Sequence, residues 1–290
     1  MQSRMKRILF TTMAVALPLL LLAECKSGMA FRVAYNNAPF LVMNRIDSYF
    51  DLTSDQERYL KPRLTRLHAW HKKNQMPSLL SFIEDAKTRS ADGLSRGELD
   101  WAYGKTQSFT DQAVRRGVDD AAGFLATVDE RQVGHLAGKM KEYNKELEEY
   151  VALPVAERRK QREAKLLKSM RDWVGDLRPD QERKVIALSR TMPETADTYL
   201  RYRRERQQQF LALLRSKPGK QKIRQQLVNW SINRNRYYPA YYKRQRDAWE
   251  KRFREVVLEV DATLTPEQRK RASSRIDSLL LGFVPEPVKI

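Results

Sequence analysis

The hydrophobic positions between Phe40 and Phe283 recur at the spacing of an α-helix. One apolar stripe passes through Val133, Leu136, Met140, Tyr143, Leu147 and Tyr150. A second stripe of the same kind runs from Tyr242 to Leu264. Such stripes are typical of amphipathic helices that pack their apolar face on a core. Runs of alternating β-branched residues, which strands need, are rare in this chain. The pattern predicts an all-α fold, an elongated bundle of about ten antiparallel helices in helical hairpins.

The first 24 residues have the pattern of a secretory signal peptide. A basic start that includes Arg4 and Arg7 precedes an apolar run over residues 8–23, which contains Pro18. This run is shorter than the roughly 20 apolar residues of a membrane-spanning helix. We predict a signal peptide over residues 1–24, with an uncleaved membrane anchor as the alternative.

Cys25 is the only cysteine of the chain and follows the apolar run directly, as in a bacterial lipobox. There the thiol receives a diacylglyceryl group, and cleavage makes the cysteine the first residue. Glu24 stands where a lipobox usually has a small residue, so cleavage after a residue such as Ala30 is the alternative. Lys26, and not an aspartate, follows the cysteine, which in Gram-negative bacteria favours sorting of a lipoprotein to the outer membrane. We predict lipidation of Cys25 and a location on the periplasmic face of that membrane.

The domain organisation follows from these features. Residues 25–39 are predicted to be the lipidated N-terminal tether, and residues 40–290 the helical domain. A sub-boundary is expected near residues 151–154, where Pro154 interrupts the helical pattern.

Three turns share the spelling Leu-Thr-x-x-Gln, over residues 51–56, 176–181 and 263–268. This is the pattern of a capping box, in which a threonine hydroxyl and a glutamine side chain bond to each other's backbone amides at a helix start. The middle copy has Arg178 in place of the threonine. Residues 127–130 are interpreted as a further box, with Thr127 as the cap and Glu130 as its partner. The boxes indicate repeated helical hairpins, spaced too unequally for a regular solenoid.

Charge identifies the segment of greatest functional interest. The chain has 55 Lys+Arg and 36 Asp+Glu, a formal net charge of +19. Residues 201–255 contain 17 basic and four acidic residues, with nine aromatic residues among them. Arginine beside tyrosine or tryptophan is typical of surfaces that bind anions and stack on planar groups. A solvated helix face, whose long basic side chains cover apolar surface, is the alternative.

The signal peptide argues against nucleic acid as the partner of this segment, because an envelope protein meets lipid headgroups, cell-wall carboxylates and unfolded acidic polypeptides instead. We expect some of the four tyrosines at residues 237–242 to be exposed. The predicted partner-binding residues are Arg201, Arg203, Arg204, Arg206, Trp230, Arg234, Arg236, Tyr237, Tyr238, Tyr241, Tyr242, Lys243 and Arg244.

The sequence offers little support for catalysis or metal chemistry. It contains no Gly-x-Ser-x-Gly elbow and no glycine-rich phosphate loop. His68 and His71 share a helix face, the spacing that offers two imidazoles to a metal, but packing beside Trp70 is the preferred interpretation. We predict a protein that is not an enzyme, with no cofactor and no metal site. The oligomeric state stays open.

Two resemblances refine this interpretation. Through the signal with Cys25 and residues 34–38 (AYNNA), 47–52 (DSYFDL) and 67–71 (LHAWH), the chain resembles a family of uncharacterised lipoproteins of Gram-negative bacteria. The Leu-Thr-x-x-Gln turns are similar to those of periplasmic helical proteins of the Spy and CpxP type, which are ATP-independent chaperones or stress and metal sensors. The expected function is binding of an anionic or unfolded partner at the membrane. A tether between membrane and cell wall and a metal or stress sensor are the alternatives.

Overall fold

The computed structural model describes residues 28–280, and within this range it contains helices and no strand. The all-α prediction is confirmed. A π-helix over His71–Gln75 separates α3 from α4. The helices are α1 (Gly28–Asn36), α2 (Ala38–Phe50), α3 (Ser54–Trp70), α4 (Met76–Arg89), α5 (Arg96–Leu125), α6 (Glu130–Ala152), α7 (Val155–Val174), α8 (Pro179–Arg190), α9 (Ala196–Arg215), α10 (Lys220–Ser231), α11 (Arg234–Tyr237), α12 (Ala240–Asp261) and α13 (Pro266–Leu280).

Two sets of four helices repeat one packing arrangement. In the first module, made of α2, α3, α5 and α6, helix α2 packs against α3 and α6, and α3 packs against α5. In the second module, made of α7, α8, α12 and α13, helix α7 packs against α8 and α13, and α8 packs against α12. The short turn between Ala152 and Val155 joins the modules, close to the sub-boundary suggested by Pro154. The chain is thus a tandem repeat of one helical unit.

The helices inserted in the middle of each module pack on the other module. Helices α9 and α10, inserted in the second module, pack against α6 and α5 of the first. Helix α4, inserted in the first module, packs against α13 of the second, where Lys87 forms an ion pair with Asp277. The inserted helices of each module thus form the contact between the two modules.

The largest core belongs to the first module and receives side chains from the inserted helices of the second. Leu214 of α9 and Ile223 of α10 are buried in it, beside Val133 and Leu136 of the predicted α6 stripe. The core of the second module is smaller and comprises Leu188, Met192 and Val256. Part of the predicted α12 stripe lies at the surface, since Phe253 is 45% exposed. A third cluster forms where Tyr35 of α1 packs on Met76, Leu79 and Phe109.

Each module is closed by a pair of buried glutamines from its two capping boxes. In the first module the side-chain amides of Gln56 and Gln132 donate to each other's Oε1 at 3.0 and 2.7 Å. In the second, Gln181 and Gln268 do the same at 2.8 and 3.1 Å. Each amide also donates to a backbone carbonyl two residues before the partner's cap; the acceptors are Thr127, Asp51, Thr263 and Asp176. The boxes therefore do more than start helices, because they join the turns of each module in pairs.

The second box of the first module differs from its sequence interpretation. Asp129 is the capping residue and accepts from the Gln132 amide at 2.8 Å, whereas the assignment of Thr127 and Glu130 was wrong. Val128 and Asp129 take the places of leucine and threonine, so the signal was the spacing to Gln132 and not the residue types. The glutamines of the two pairs are 76 and 87 residues apart. The unequal spacing of the boxes follows from this pairwise use.

Candidate functional site

Three tyrosines form the centre of the basic and aromatic segment. Tyr202 of α9 stacks on Tyr242 of α12 with ring centroids 4.0 Å apart and planes 7° apart, and Tyr238 packs edge-on against both. Tyr202 is buried, and burial raises the pKa of the Tyr242 hydroxyl. Since these rings occupy one another's faces, Tyr238 and Tyr242 hold α9 and α12 together and have little surface left for a partner.

Several of the nominated arginines also stabilise this junction. The guanidinium of Arg206 lies 4.8 Å from the centroid of Trp230 and donates to the Tyr237 carbonyl at 3.1 Å. Arg203 is only 9% exposed, and Arg234 donates to the Ser231 carbonyl at 2.8 Å. Their role in the structure is internal packing and hydrogen bonding, which sequence reasoning could not separate from surface binding.

Arg201, Glu205 and Tyr241 form a second group at the α9–α12 junction. The Arg201 guanidinium is 3.0 Å from Glu205 and 4.1 Å from the centroid of Tyr241, whose hydroxyl donates to Glu205 at 2.7 Å. Burial and this carboxylate raise the pKa of Tyr241 to about 12. A shallow cavity of about 380 Å³ opens beside the group; its lining residues are Val151, Asp197, Leu200, Arg201, Arg204, Glu205 and Gln208. This lining carries two basic and two acidic residues. An anion in the cavity would therefore meet both attractive and repulsive charges.

Carboxylates of the first module meet much of the positive charge of residues 201–255. Acidic residues of α5 and α6 form ion pairs with cations of the segment. The pairs are Asp100 with Arg254 (3.2 Å), Asp111 with Arg234 (3.8 Å), Asp119 with Lys220 (2.7 Å), Glu130 with Arg215 (3.0 Å) and Glu148 with Arg204 (2.7 Å). All five acids are distant in sequence from the segment. The charge excess that is local in sequence is therefore partly neutralised in three dimensions.

A smaller set of cations is left at the surface. We define the exposed cationic face as Arg236, Tyr237, Arg244 and Lys251, all exposed. Within residues 28–280 the basic side chains of this face form no ion pair or hydrogen bond, whereas the neighbouring Lys243 pairs with Asp247. Arg244 and Lys251 are seven residues apart on α12, so they lie on one side of the helix about 10 Å apart. Tyr237 is 40% exposed, as expected for at least one tyrosine of the run.

The two histidines of α3 and the π-helix contact Tyr35 of α1. The Tyr35 hydroxyl is 2.8 Å from His71 Nδ1, and its ring lies 4.9 Å from that of His68. Burial, with His68 close by, lowers the pKa of His71 to about 4, and burial lowers that of His68. Within the described chain no group of three or more His, Cys, Asp or Glu side chains is arranged to hold a metal. Tyr35 thereby fixes α1, inside the predicted tether, to the helical body.

Cys25 and the signal peptide lie outside the described residues. Across residues 28–280 no helix combines the length and the hydropathy needed to cross a membrane.

Comparison with known proteins gives a family and no activity. The sequence model of a family of unknown function (DUF6279) matches residues 48–242, which includes three of the four capping boxes and the start of α12. No curated protein and no solved structure matches the chain.

Proposed function

We propose a function from the residues themselves, because this chain belongs to the DUF6279 family, whose function is unknown. The protein is a non-catalytic lipoprotein of the Gram-negative envelope, anchored through Cys25, and it binds an anionic partner with its exposed cationic face. The observation that carries the proposal is that Arg236, Arg244 and Lys251 are exposed and have no carboxylate partner, while most neighbouring cations have one.

Elementary electrostatics supports an extended anionic surface as the partner. A lysine or arginine near an anionic surface contributes about 1 kcal/mol, so three such cations contribute about 3 kcal/mol. Exposed charges of this kind are screened by salt, and the Debye length falls to about 3 Å at 1 M. Tyr237, next to Arg236 in sequence, adds an exposed apolar and hydrogen-bonding group. Phosphate and carboxylate groups of the envelope have the complementary charge.

The location rests on the N-terminal sequence. A basic start, an apolar run and Cys25 follow one another as in bacterial lipoproteins, and Lys26 favours the outer membrane. A diacyl anchor gains roughly 0.8 kcal/mol per buried methylene and holds a protein on a membrane without a spanning helix. Replacing Cys25 with serine should abolish incorporation of a labelled fatty acid. Labelling that persists in the Cys25→Ser variant contradicts lipidation at this residue.

The binding proposal is tested with two charge-matched triple variants of the full chain in detergent micelles. One carries Arg236→Gln, Arg244→Gln and Lys251→Gln on the exposed cationic face. The control carries Lys61→Gln, Arg66→Gln and Lys145→Gln, which removes three exposed cations from α3 and α6. The probes are purified peptidoglycan and purified lipopolysaccharide, at 0.1 M and 1 M salt.

We expect the parent and the control to bind one of these probes at 0.1 M salt and to release it at 1 M. The face variant should bind at least about tenfold more weakly at 0.1 M, since a loss of 1.4 kcal/mol is tenfold. Equal binding by the two triple variants contradicts the proposal. Retention on peptidoglycan favours the version in which the protein tethers membrane to cell wall.

A chaperone-like version has one observation in its favour, the exposure of the aromatic residues Tyr237 and Phe253 within the basic segment, a combination that suits unfolded acidic polypeptides. In this version the full chain slows the aggregation of an unfolded acidic client without ATP, and Phe253→Ser reduces the effect. Aggregation that proceeds equally fast with and without the protein contradicts it.

A further inference from the structure

Three apolar side chains at the N-terminal corner of the fold lie in solvent. Val33 of α1 is 58% exposed, and Phe40 and Leu41 of α2 are 63% and 38% exposed. Among the large hydrophobic side chains whose burial the structure describes, that of Phe40 is the most exposed. Large apolar groups grouped at one place on a surface mark contact with a partner or a lipid phase.

These three residues share one face. Across Asn37 the backbone keeps helical bonding, because its amide donates to Val33 and its carbonyl accepts from Leu41, at 3.2 and 3.0 Å. Positions 33, 40 and 41 are therefore related as i, i+7 and i+8 of a nearly continuous helix. The Asn37 side chain also donates to the Val33 carbonyl at 2.8 Å, so its amide bonds to the backbone where the two helices meet.

The sequence that carries the stripe has charges of one sign. Between Cys25 and Ile46 it has three basic residues and no acidic residue; Lys26 and Arg32 are closest to Val33 in sequence, and Arg45 donates to Tyr49 and Tyr143. An apolar stripe with basic neighbours is the composition of helices that lie in the interface of an anionic bilayer. A protein partner requires no such one-sided charge.

The chain length to the predicted anchor places the stripe within reach of the membrane. Gly28 is three residue steps after Cys25, and three steps of extended chain span at most about 10 Å. Five helical rises from Gly28 to Val33 add about 7.5 Å. The anchored cysteine therefore holds Val33 within about 18 Å of the lipid headgroups.

The corner is rigid enough to orient the whole molecule. Tyr35, between Val33 and Phe40, is only 5% exposed and packs on Met76 and Leu79. The Tyr35 hydroxyl forms a hydrogen bond with His71 Nδ1. The stripe therefore projects from a docked helix and not from a free tail.

We infer that Val33, Phe40 and Leu41 form a second membrane contact, inserted among anionic phospholipids beside the anchor. The inference rests on the proposed membrane anchorage and extends it. Two contacts, the acyl chains and the stripe, hold the helical body in one orientation to the bilayer, whereas an anchor alone leaves it free to rotate.

The test compares two tryptophan variants of the full chain, reconstituted in vesicles of zwitterionic and anionic phospholipid. Phe40→Trp places the reporter in the stripe, and Phe253→Trp places it at another exposed aromatic site, on α12. Flotation of the vesicles first shows whether the chain is bound. Brominated phospholipid then quenches tryptophans that reach the acyl chains, and the fluorescence of the parent is subtracted.

We expect the added fluorescence of Phe40→Trp to be blue-shifted and mostly quenched, and that of Phe253→Trp to be almost unchanged. Equal quenching of the two, in chains that float with the vesicles, overturns the membrane contact while leaving the anchor intact. A chain that does not float overturns the anchorage and the inference with it. Substituting serine at Val33, Phe40 and Leu41 should leave flotation intact and weaken the orientation, seen as faster proteolysis near α2.

Discussion

The two modules make the same hydrogen bonds in different surroundings. In both, two capping-box glutamines donate to each other and to the turn that precedes the partner helix. The first module has a large apolar core, and its Gln56 and Gln132 are 6% and 0% exposed. The second module has a core of three buried residues, and its Gln181 and Gln268 are 1% and 8% exposed. One polar device thus closes a well-packed unit and a sparsely packed one.

The comparison shows what a short motif contributes to a helical fold. The local part of the motif starts a helix by satisfying amides that have no partner in the first turn. The long-range part requires a second copy at the right distance, because an unpaired buried amide costs about 1–3 kcal/mol. We therefore regard each glutamine pair as the junction that fixes which helices of a module meet.

The largest effect is expected on replacing a paired glutamine. Gln132→Leu removes both hydrogen bonds to Gln56, the bond to the Asp51 carbonyl and the acceptor of the Asp129 backbone amide, and should lower the free energy of unfolding by about 3 kcal/mol. Gln268→Leu should cost about 2 kcal/mol, because water reaches its site, 8% exposed against 0% for Gln132, more easily. Chemical denaturation of both variants measures the difference.

Two further variants keep this prediction open to contradiction. Gln112→Leu changes an exposed glutamine of α5 and should alter stability by less than about 0.5 kcal/mol. The double variant of Gln56 and Gln132 to leucine should cost less than the sum of its single changes, since each single change already removes the two hydrogen bonds between these side chains. Strict additivity would show that the two side chains do not act as a pair.

A smaller effect is expected from mild acid, at the contact between His71 of the π-helix and Tyr35 of α1. The three histidines lie at positions 68, 71 and 135, none of them in the second module. His71 has a pKa of about 4 in the folded chain, against an ordinary value near 6.5, so the unfolded chain binds more protons between these values. The contribution of neutral His71 to the free energy of unfolding is fully present above pH 6.5 and is lost as the pH falls towards 4. Allowing for partial exposure of the ring, the loss is about 2 kcal/mol.

Hydrogen exchange at pH 7 and pH 4.5 checks where this loss appears. We expect α1 and the π-helix to exchange faster in acid, because protonation of His71 opposes its burial against Tyr35, whereas α7 and α8 keep their protection. His71→Gln should remove most of the acid sensitivity, and His135→Gln should leave it in place. Acid exchange that rises equally in both modules would contradict this assignment.

The smallest effects are expected at the caps. Thr53→Ala removes the hydroxyl that accepts from the Gln56 amide and should cost about 1 kcal/mol. Arg178→Thr supplies the acceptor that the third box lacks, because a guanidinium only donates, and should raise stability by up to about 0.5 kcal/mol. Thermal unfolding measures both. Destabilisation by Arg178→Thr would mean that the arginine contributes more through Asp180 than a cap would.

The site shows where prediction from sequence ended. The basic and aromatic composition of residues 201–255 was evident, and so was the exposure of part of the tyrosine run. The partners were not, since Asp119 and Glu148 come from helices 50 or more residues away. Arg203 and Arg204 are neighbours in sequence, yet one is buried and the other pairs with Glu148 on the surface.

The sequence by itself determined the helices and most of their starts, because hydrophobic spacing and capping residues act within a few positions of one another. It also determined the total charge. Only the tertiary structure decided that the capping boxes work in pairs, that Gln132 is the partner of Gln56, and which cations keep an exposed charge. The reason is physical: the cost of a buried amide or an unpaired charge depends on what the fold brings beside it, and that neighbour is distant in sequence.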